Sequence, residues 1–203
     1  MKKSILIILT LVAVFAVLPV YASYYSSGDT EFSVRAGGIF PLMYYKPGNS
    51  IVWTGTKNES GSSALGTKIG GSASIAYQGF TSSHLCLGGE LGYDFFYTNG
   101  EDFASVVPLT FKASLVTMQT GKFDLNFHFN IGAAFLKYSS TRYIPAPYAK
   151  ITVNPTYFFT KAWGIGLETG VCGFAELYFK TEKKDWTTIM CTCPISITAI
   201  YRH

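Results

Sequence analysis

Charge is what this chain has least of: Asp, Glu, Lys and Arg make up 14% of its 203 residues, against about 25% in a typical soluble domain. A soluble sandwich or barrel would cover its exterior with Lys and Glu, and that deficit argues against one. Nor is there a basic surplus. Setting aside Lys2 and Lys3, which belong to the leader discussed below, 14 Lys+Arg stand against 12 Asp+Glu, so 14 − 12 = +2. That is no footprint for nucleic acid, and no nucleic-acid partner is expected. After the first 22 residues no segment is apolar for the ~20 residues that a spanning helix needs. Any membrane insertion must therefore use strands, which in lipid have to close into a barrel to pair every backbone group.

Histidine and cysteine are scarce too, three and four residues. Cys86 and Cys172 fall on the polar face of separate strands at different heights, too far apart for the Cα spacing of roughly 4.4–6.8 Å that a bridge requires. Cys191 and Cys193 share one strand face, where a bridge would be strained. Four free thiols are expected. No second ligand pair stands near the C-x-C pair, so neither a metal nor any other cofactor is expected.

What the chain does have is alternation. Phe123 to Phe135 reads F-D-L-N-F-H-F-N-I-G-A-A-F, with Phe123, Leu125, Phe127, Phe129, Ile131, Ala133 and Phe135 apolar. Asp124, Asn126, His128 and Asn130 lie between them. A strand sends successive side chains to opposite faces, so one face is an apolar band and the other carries hydrogen-bonding groups. With so few charges to cover an exterior, the apolar face is read as outward and the polar face as inward, the pattern of a membrane barrel.

Residues 1–22 read as a secretory signal peptide, with Lys2-Lys3 as the positive region, Ile5–Leu18 as the apolar region and Val20-Tyr21-Ala22 as the cleavage site. Residues 23–203 then form one barrel domain. Ser23–Thr30 is a polar lead-in. The alternation predicts strands over 31–40, 67–77, 84–97, 103–117, 123–135, 148–159, 163–179 and 186–203. The long link 43–66 and the loop 137–147 break it, and shorter turns lie at 78–83, 98–102, 118–122, 160–162 and 180–185. Eight strands give an all-β, eight-stranded antiparallel up-and-down transmembrane β-barrel. Aromatics cluster at the strand ends: Phe32, Tyr77, Phe123, Phe159, Trp163 and Tyr201 at one level, Phe40, Tyr97, Phe103, Phe135, Tyr148, Phe179 and Trp186 at the other. Two such girdles suit the two interfaces of a membrane.

A leader, eight amphipathic strands and short turns at one end resemble the small eight-stranded outer-membrane proteins, the group of the OmpX, OmpA-barrel and OmpW families. The weakly polar, Phe-rich strands lean toward OmpW. The resemblance implies a bacterial outer-membrane location, with membrane lipids and the barrel-insertion machinery as partners. It also implies a porin-like function of limited permeation of small or apolar solutes. The alternative is a closed structural barrel that displays loops for adhesion or partner binding.

The candidate sites lie in the lumen and the first loop. Arg35, Glu90, Lys112, His128 and Glu168 fall at similar height. Asp124 and Arg202 are placed below them, and Asp94, Lys150, Lys68 and Glu176 above. This layer reads either as a salt-bridged plug or as the constriction of a narrow polar passage. Pro108 and Pro155 cannot donate their ladder hydrogen bonds, so Pro108 marks either a bulge or a lateral seam. OmpW-like proteins are thought to release apolar molecules through such a seam. Tyr44, Tyr45 and Trp53 make the first loop too apolar to be idle, as a contact for a surface ligand or as a lid over the mouth. No enzyme is expected, because His128 has Asn126 and Asn130 as its strand neighbours and no serine on that strand from which to build a nucleophile constellation.

Overall fold

The computed structural model describes residues 25–45, 51–57, 67–97, 103–138, 144–176 and 188–203. The wall consists of β1 (Thr30–Tyr45), β3 (Gly70–Phe80), β4 (Leu85–Tyr97), β5 (Phe103–Thr120), β6 (Phe123–Tyr138), β7 (Ile144–Phe158), β8 (Trp163–Glu176) and β9 (Thr188–Arg202). A two-residue strand, β2 (Val52–Trp53), pairs with Met43 and Tyr44 on the end of β1. Each wall strand runs antiparallel to the next, and β9 pairs back with β1 to close the sheet. Closure leaves no wall edge unpaired, which is the condition for strands in lipid.

The register defines the barrel's stagger. Crossing the wall at right angles to the strands from Glu31, the partners are Gln78, Gly88, Lys112, Asn130, Lys150, Cys172 and Thr192, and the circuit re-enters β1 at Pro41. The displacement is 41 − 31 = 10 residues. Such a stagger requires tilted strands, so residues that look level along the sequence stand at different heights.

The expected alternation holds in phase. Val34, Ile75, Leu91, Leu109, Ile131, Ile151, Ile165 and Ile197 face outward and are exposed, while Arg35, Ser74, Glu90, Thr110, Asn130, Thr152, Glu168 and Ser196 are buried inside. No helix among the described residues is long and apolar enough to cross a membrane; the strands carry the apolar band. Phe32, Tyr77, Phe159, Trp163 and Tyr201 ring the turn end, and Tyr97, Phe103 and Phe135 ring the other.

Several boundaries differ from expectation. β1 continues to Tyr45, so Tyr44 and Tyr45 belong to the wall, opposite Met190 and Ile189, and are not loop residues. β5 runs on to Thr120. Thr117 is an extra residue between the pairs Val116–Asn126 and Met118–Leu125, a bulge that switches the inward positions from even to odd. The turn is then only Gly121-Lys122, with Gly121 at φ 57°, a left-handed position that glycine adopts without penalty. The expected loop 137–147 is mostly strand, with Pro145 and Pro147 paired to Phe135 and Ala133. β4 starts at Leu85, one residue after His84. Lys68 precedes β3 and is exposed, so it is not a lumen residue. Tyr148 is turned into the lumen and buried at 3%, so it is not part of the outer girdle. The leader, the turn at 98–102 and the residues from Leu177 to Trp186 lie outside the described residues, as does most of the first loop.

Candidate functional site

Eight inward-facing strand positions converge on one buried ionic cluster. Glu90 on β4 meets Lys112 on β5 at 3.5 Å, Arg35 on β1 at 3.5 Å, and Lys150 on β7 in a direct ion pair. Glu168 on β8 pairs with Arg35, meets Lys150 at 3.4 Å and lies 4.0 Å from His128 Nε2. Ser72 donates to Asp94, and Arg35 Nη2 is 3.5 Å from the same Ser72 hydroxyl. Three cations therefore face three carboxylates in a space that excludes bulk water. Charges so placed are held only by such pairing, and removing one partner from a buried pair costs about 3–5 kcal/mol.

Four of the five predicted members, Arg35, Glu90, Lys112 and Glu168, meet in this cluster, and His128 touches its edge. Lys150, expected above, is instead one of its hubs, because the stagger lowers its ammonium to the level of both glutamates. His128 also accepts or donates at Nδ1 with Ser114 Oγ, 2.7 Å away on β5, and Ser114 in turn pairs with Gln78 at 2.9 Å. A serine thus does stand beside His128, across the ladder and not along β6. Ser114, His128 and Glu168 are all buried within the packed lumen, but only Ser114 and His128 share a hydrogen bond; at 4.0 Å, Glu168 is beyond hydrogen-bond reach of Nε2.

Below the cluster is a floor built on Asp124 and Arg202, the pair the sequence placed there, together with Glu31, Tyr25 and Phe158, which it did not. Arg202 binds Glu31 at 2.8 Å and Asp124 at 2.6 Å. Its guanidinium lies 4.2 Å from the ring centroids of both Tyr25 and Phe158, a cation–π arrangement. Tyr25 stacks on Phe80 with centroids 4.6 Å apart and donates its hydroxyl to Asp124. The polar lead-in therefore supplies a stopper at the turn end. Tyr25 follows no periodic run, so nothing in its neighbourhood announced this.

Above the cluster the lumen turns apolar. Ile39, Phe96, Val106, Leu136, Tyr148, Phe174 and Met190 pack into one buried core, with Phe96 and Phe174 stacked at 6.5 Å. A signal for this existed. Phe95-Phe96, Val106-Val107 and Phe135-Leu136 are adjacent apolar pairs, and in a strand that means both faces are apolar.

At the junction between this core and the ionic cluster, the β4–β5 ladder opens. Leu91–Leu109 and Asp94–Val106 are paired, but Gly92 and Tyr93 are not paired with Pro108 and Val107. The register is unchanged across the gap (91 + 109 = 94 + 106 = 200), so Pro108 makes no bulge. It removes pairings and leaves the register intact. A Cβ at Gly92 would lie 2.8 Å from Pro108 Cγ, so the proline ring needs a glycine opposite. Pro155 similarly interrupts β7–β8, and Pro194, not singled out from the sequence, interrupts β8–β9. The Pro108 gap adjoins a largely apolar outer-wall groove of about 400 Å³, lined by Val34, Arg35, Ala73, Ser74, Ile75, Leu91, Gly92, Tyr93 and Val107.

Trp53, in the short hairpin strand, is 57% exposed. All four cysteines are free, Cys86 and Cys172 buried in the lumen and Cys191 and Cys193 on the outer face of β9. Among the described residues no cluster of His, Cys, Asp and Glu could hold a metal ion.

A protein-family model matches residues 16–201. No curated protein sequence is significantly similar. Among solved structures, Neisserial surface protein A is 9% identical with a TM-score of 0.50, over 86% of this chain and 97% of that one. The attachment invasion locus protein Ail of Yersinia pestis is 10% identical with a TM-score of 0.47, over 87% and 99%. The outer membrane protein OprG of Pseudomonas aeruginosa is 8% identical with a TM-score of 0.46, over 89% and 99%. At such identities the likeness is one of fold, carried by the first of the three.

Proposed function

We propose that this barrel, which has the fold of the small eight-stranded outer-membrane β-barrel proteins, gives limited passage to small apolar solutes, which leave it sideways at Pro108. The supporting observation is a coincidence of three features at one level. The apolar core of the outer lumen ends there, the ionic cluster begins, and the wall loses its β4–β5 bonds beside an apolar groove. A molecule able to displace Phe96 and Val106 would meet buried charge below and an unbonded, apolar wall to the side. Desolvating an apolar solute against that wall is favourable, whereas pushing it among paired ions breaks interactions worth several kcal/mol.

The test is uptake of naphthalene by cells or proteoliposomes carrying the barrel, with planar-bilayer conductance measured alongside. The expected result is naphthalene uptake without ion channel steps, reduced by Pro108→Ala, which restores a ladder donor. Unaltered uptake in that variant would reject the seam.

The second reading is a closed structural barrel that works through its surface. The lumen packing in three tiers and the exposed Trp53 on its hairpin favour it. Under this reading naphthalene uptake is absent, and Trp53→Ser weakens attachment of barrel-bearing cells to a surface.

A further inference from the structure

The turns joining β5 to β6 and β7 to β8 face the periplasm, given that the short turns of such barrels lie on that side. Between them is a cleft of about 770 Å³ whose lining includes Tyr25, Lys122, Asp124, Phe159, Thr160 and Lys161. We propose that this cleft binds the headgroup of an anionic phospholipid of the inner leaflet.

Charge complementarity carries the assignment. Lys122 and Lys161 are exposed, one on each turn, and neither forms an ion pair among the described residues. The one carboxylate in the lining, Asp124, is already engaged by Arg202 and by the Tyr25 hydroxyl, so it does not cancel them. The two turns are tied together by the Phe158 amide donating to the Lys122 carbonyl at 2.7 Å, which holds the two lysine-bearing turns side by side. Thr160 Oγ1 accepts from the Ala162 and Trp163 amides at 3.2 and 2.8 Å. Its hydroxyl proton is thereby left to donate to a phosphate oxygen.

The cleft's outer wall distinguishes a lipid from a free anion. Phe159 lies on the membrane side, in the same exposed aromatic belt as Tyr157 and Trp163. An anion fixed between the lysines would sit at headgroup level with its glyceride and acyl chains continuing along these rings, where aromatic residues of membrane proteins lie. The volume is also that of a small-molecule site and far exceeds one phosphate.

Native mass spectrometry of the refolded barrel in neutral detergent, titrated with phosphatidylglycerol, phosphatidylcholine or inorganic phosphate, tests the assignment. The expected result is one tightly retained phosphatidylglycerol, preferred over phosphatidylcholine, with affinity lowered about tenfold or more in the Lys122→Gln/Lys161→Gln variant. Lys57→Gln, at the opposite end of the barrel, is expected to retain the lipid as the parent does. Heat-modifiable gel mobility verifies folding of each variant. Equal retention by the double variant would overturn the site. Displacement of the lipid by equimolar inorganic phosphate would overturn it too, by reducing it to a generic anion contact.

Discussion

The guanidinium of Arg202, on the last strand, lies 4.2 Å from the ring centroid of Tyr25, which precedes the first. The two ends of the described barrel thus meet in one stacked and ion-paired floor, and the strand that closes the wall also closes the lumen.

That floor makes a graded prediction about stability. Arg202→Met leaves Glu31 and Asp124 buried without their cation, and about 3–5 kcal/mol of stability is expected to be lost. Tyr25→Phe keeps the stack on Phe80 and removes one hydrogen bond to a charged acceptor, a loss of roughly 1.5–3 kcal/mol. The order of the heat-modification midpoints, parent above Tyr25→Phe above Arg202→Met, is the check.

The ionic cluster makes a prediction about conductance. Glu90 holds three cations, whereas Lys112 has one ion pair, at 3.5 Å. Glu90→Gln should therefore open discrete channel steps in planar bilayers where the parent is silent, and Lys112→Met should have a smaller effect. Unchanged traces in both would mean that these pairs do not block the path.

Widening the apolar outer lumen should act on the proposed solute and leave ions alone. Phe96→Ala removes one ring of the Phe96–Phe174 stack; it is expected to raise naphthalene uptake severalfold with no gain in ion conductance, at a stability cost of about 3–5 kcal/mol. Slower or unchanged uptake in a folded variant would argue that apolar solutes do not take this path.

Gly92→Val tests the seam from its other side. A Cβ there collides with Pro108 Cγ, so strand β4 or the proline ring must move, at a cost of about 1–3 kcal/mol. The variant is expected to melt earlier than the parent, and the Gly92→Val/Pro108→Ala double variant to recover part of the loss. A double variant no better than the single one would place the strain elsewhere.

Thiol chemistry reads the faces directly. Cys86 and Cys172 are buried in the lumen, while Cys191 and Cys193 lie on the outer surface of β9. A small maleimide should add at most two groups to the folded barrel and four after heat unfolding, counted by intact mass. Three or four additions to the folded form would contradict the inward placement.

The face of most strand residues was legible along the chain because strand alternation is local. Phe129 and Ile131 point to lipid and His128 and Asn130 inward by backbone geometry alone, and eight such runs with scarce charge require a closed membrane barrel. Height was legible only in part. The ten-residue stagger is a property of the closed sheet, so Lys150 looked too high for Glu90 and Glu168 and proved to bind both. Alternation also fails where both faces are apolar. Tyr148 accordingly read as an interface aromatic when it fills the lumen, and Tyr44 and Tyr45 read as loop when the ladder to β9 had not yet ended. Tyr25 had no pattern to betray it, because its role depends on Phe80, Asp124 and Arg202 arriving from three other segments. By itself the sequence determined which side of the wall a residue takes wherever apolar and polar positions alternate cleanly, since that follows from two-residue periodicity. Only the tertiary structure decided which inward residues meet, since that depends on how eight strands slide past one another before the barrel closes.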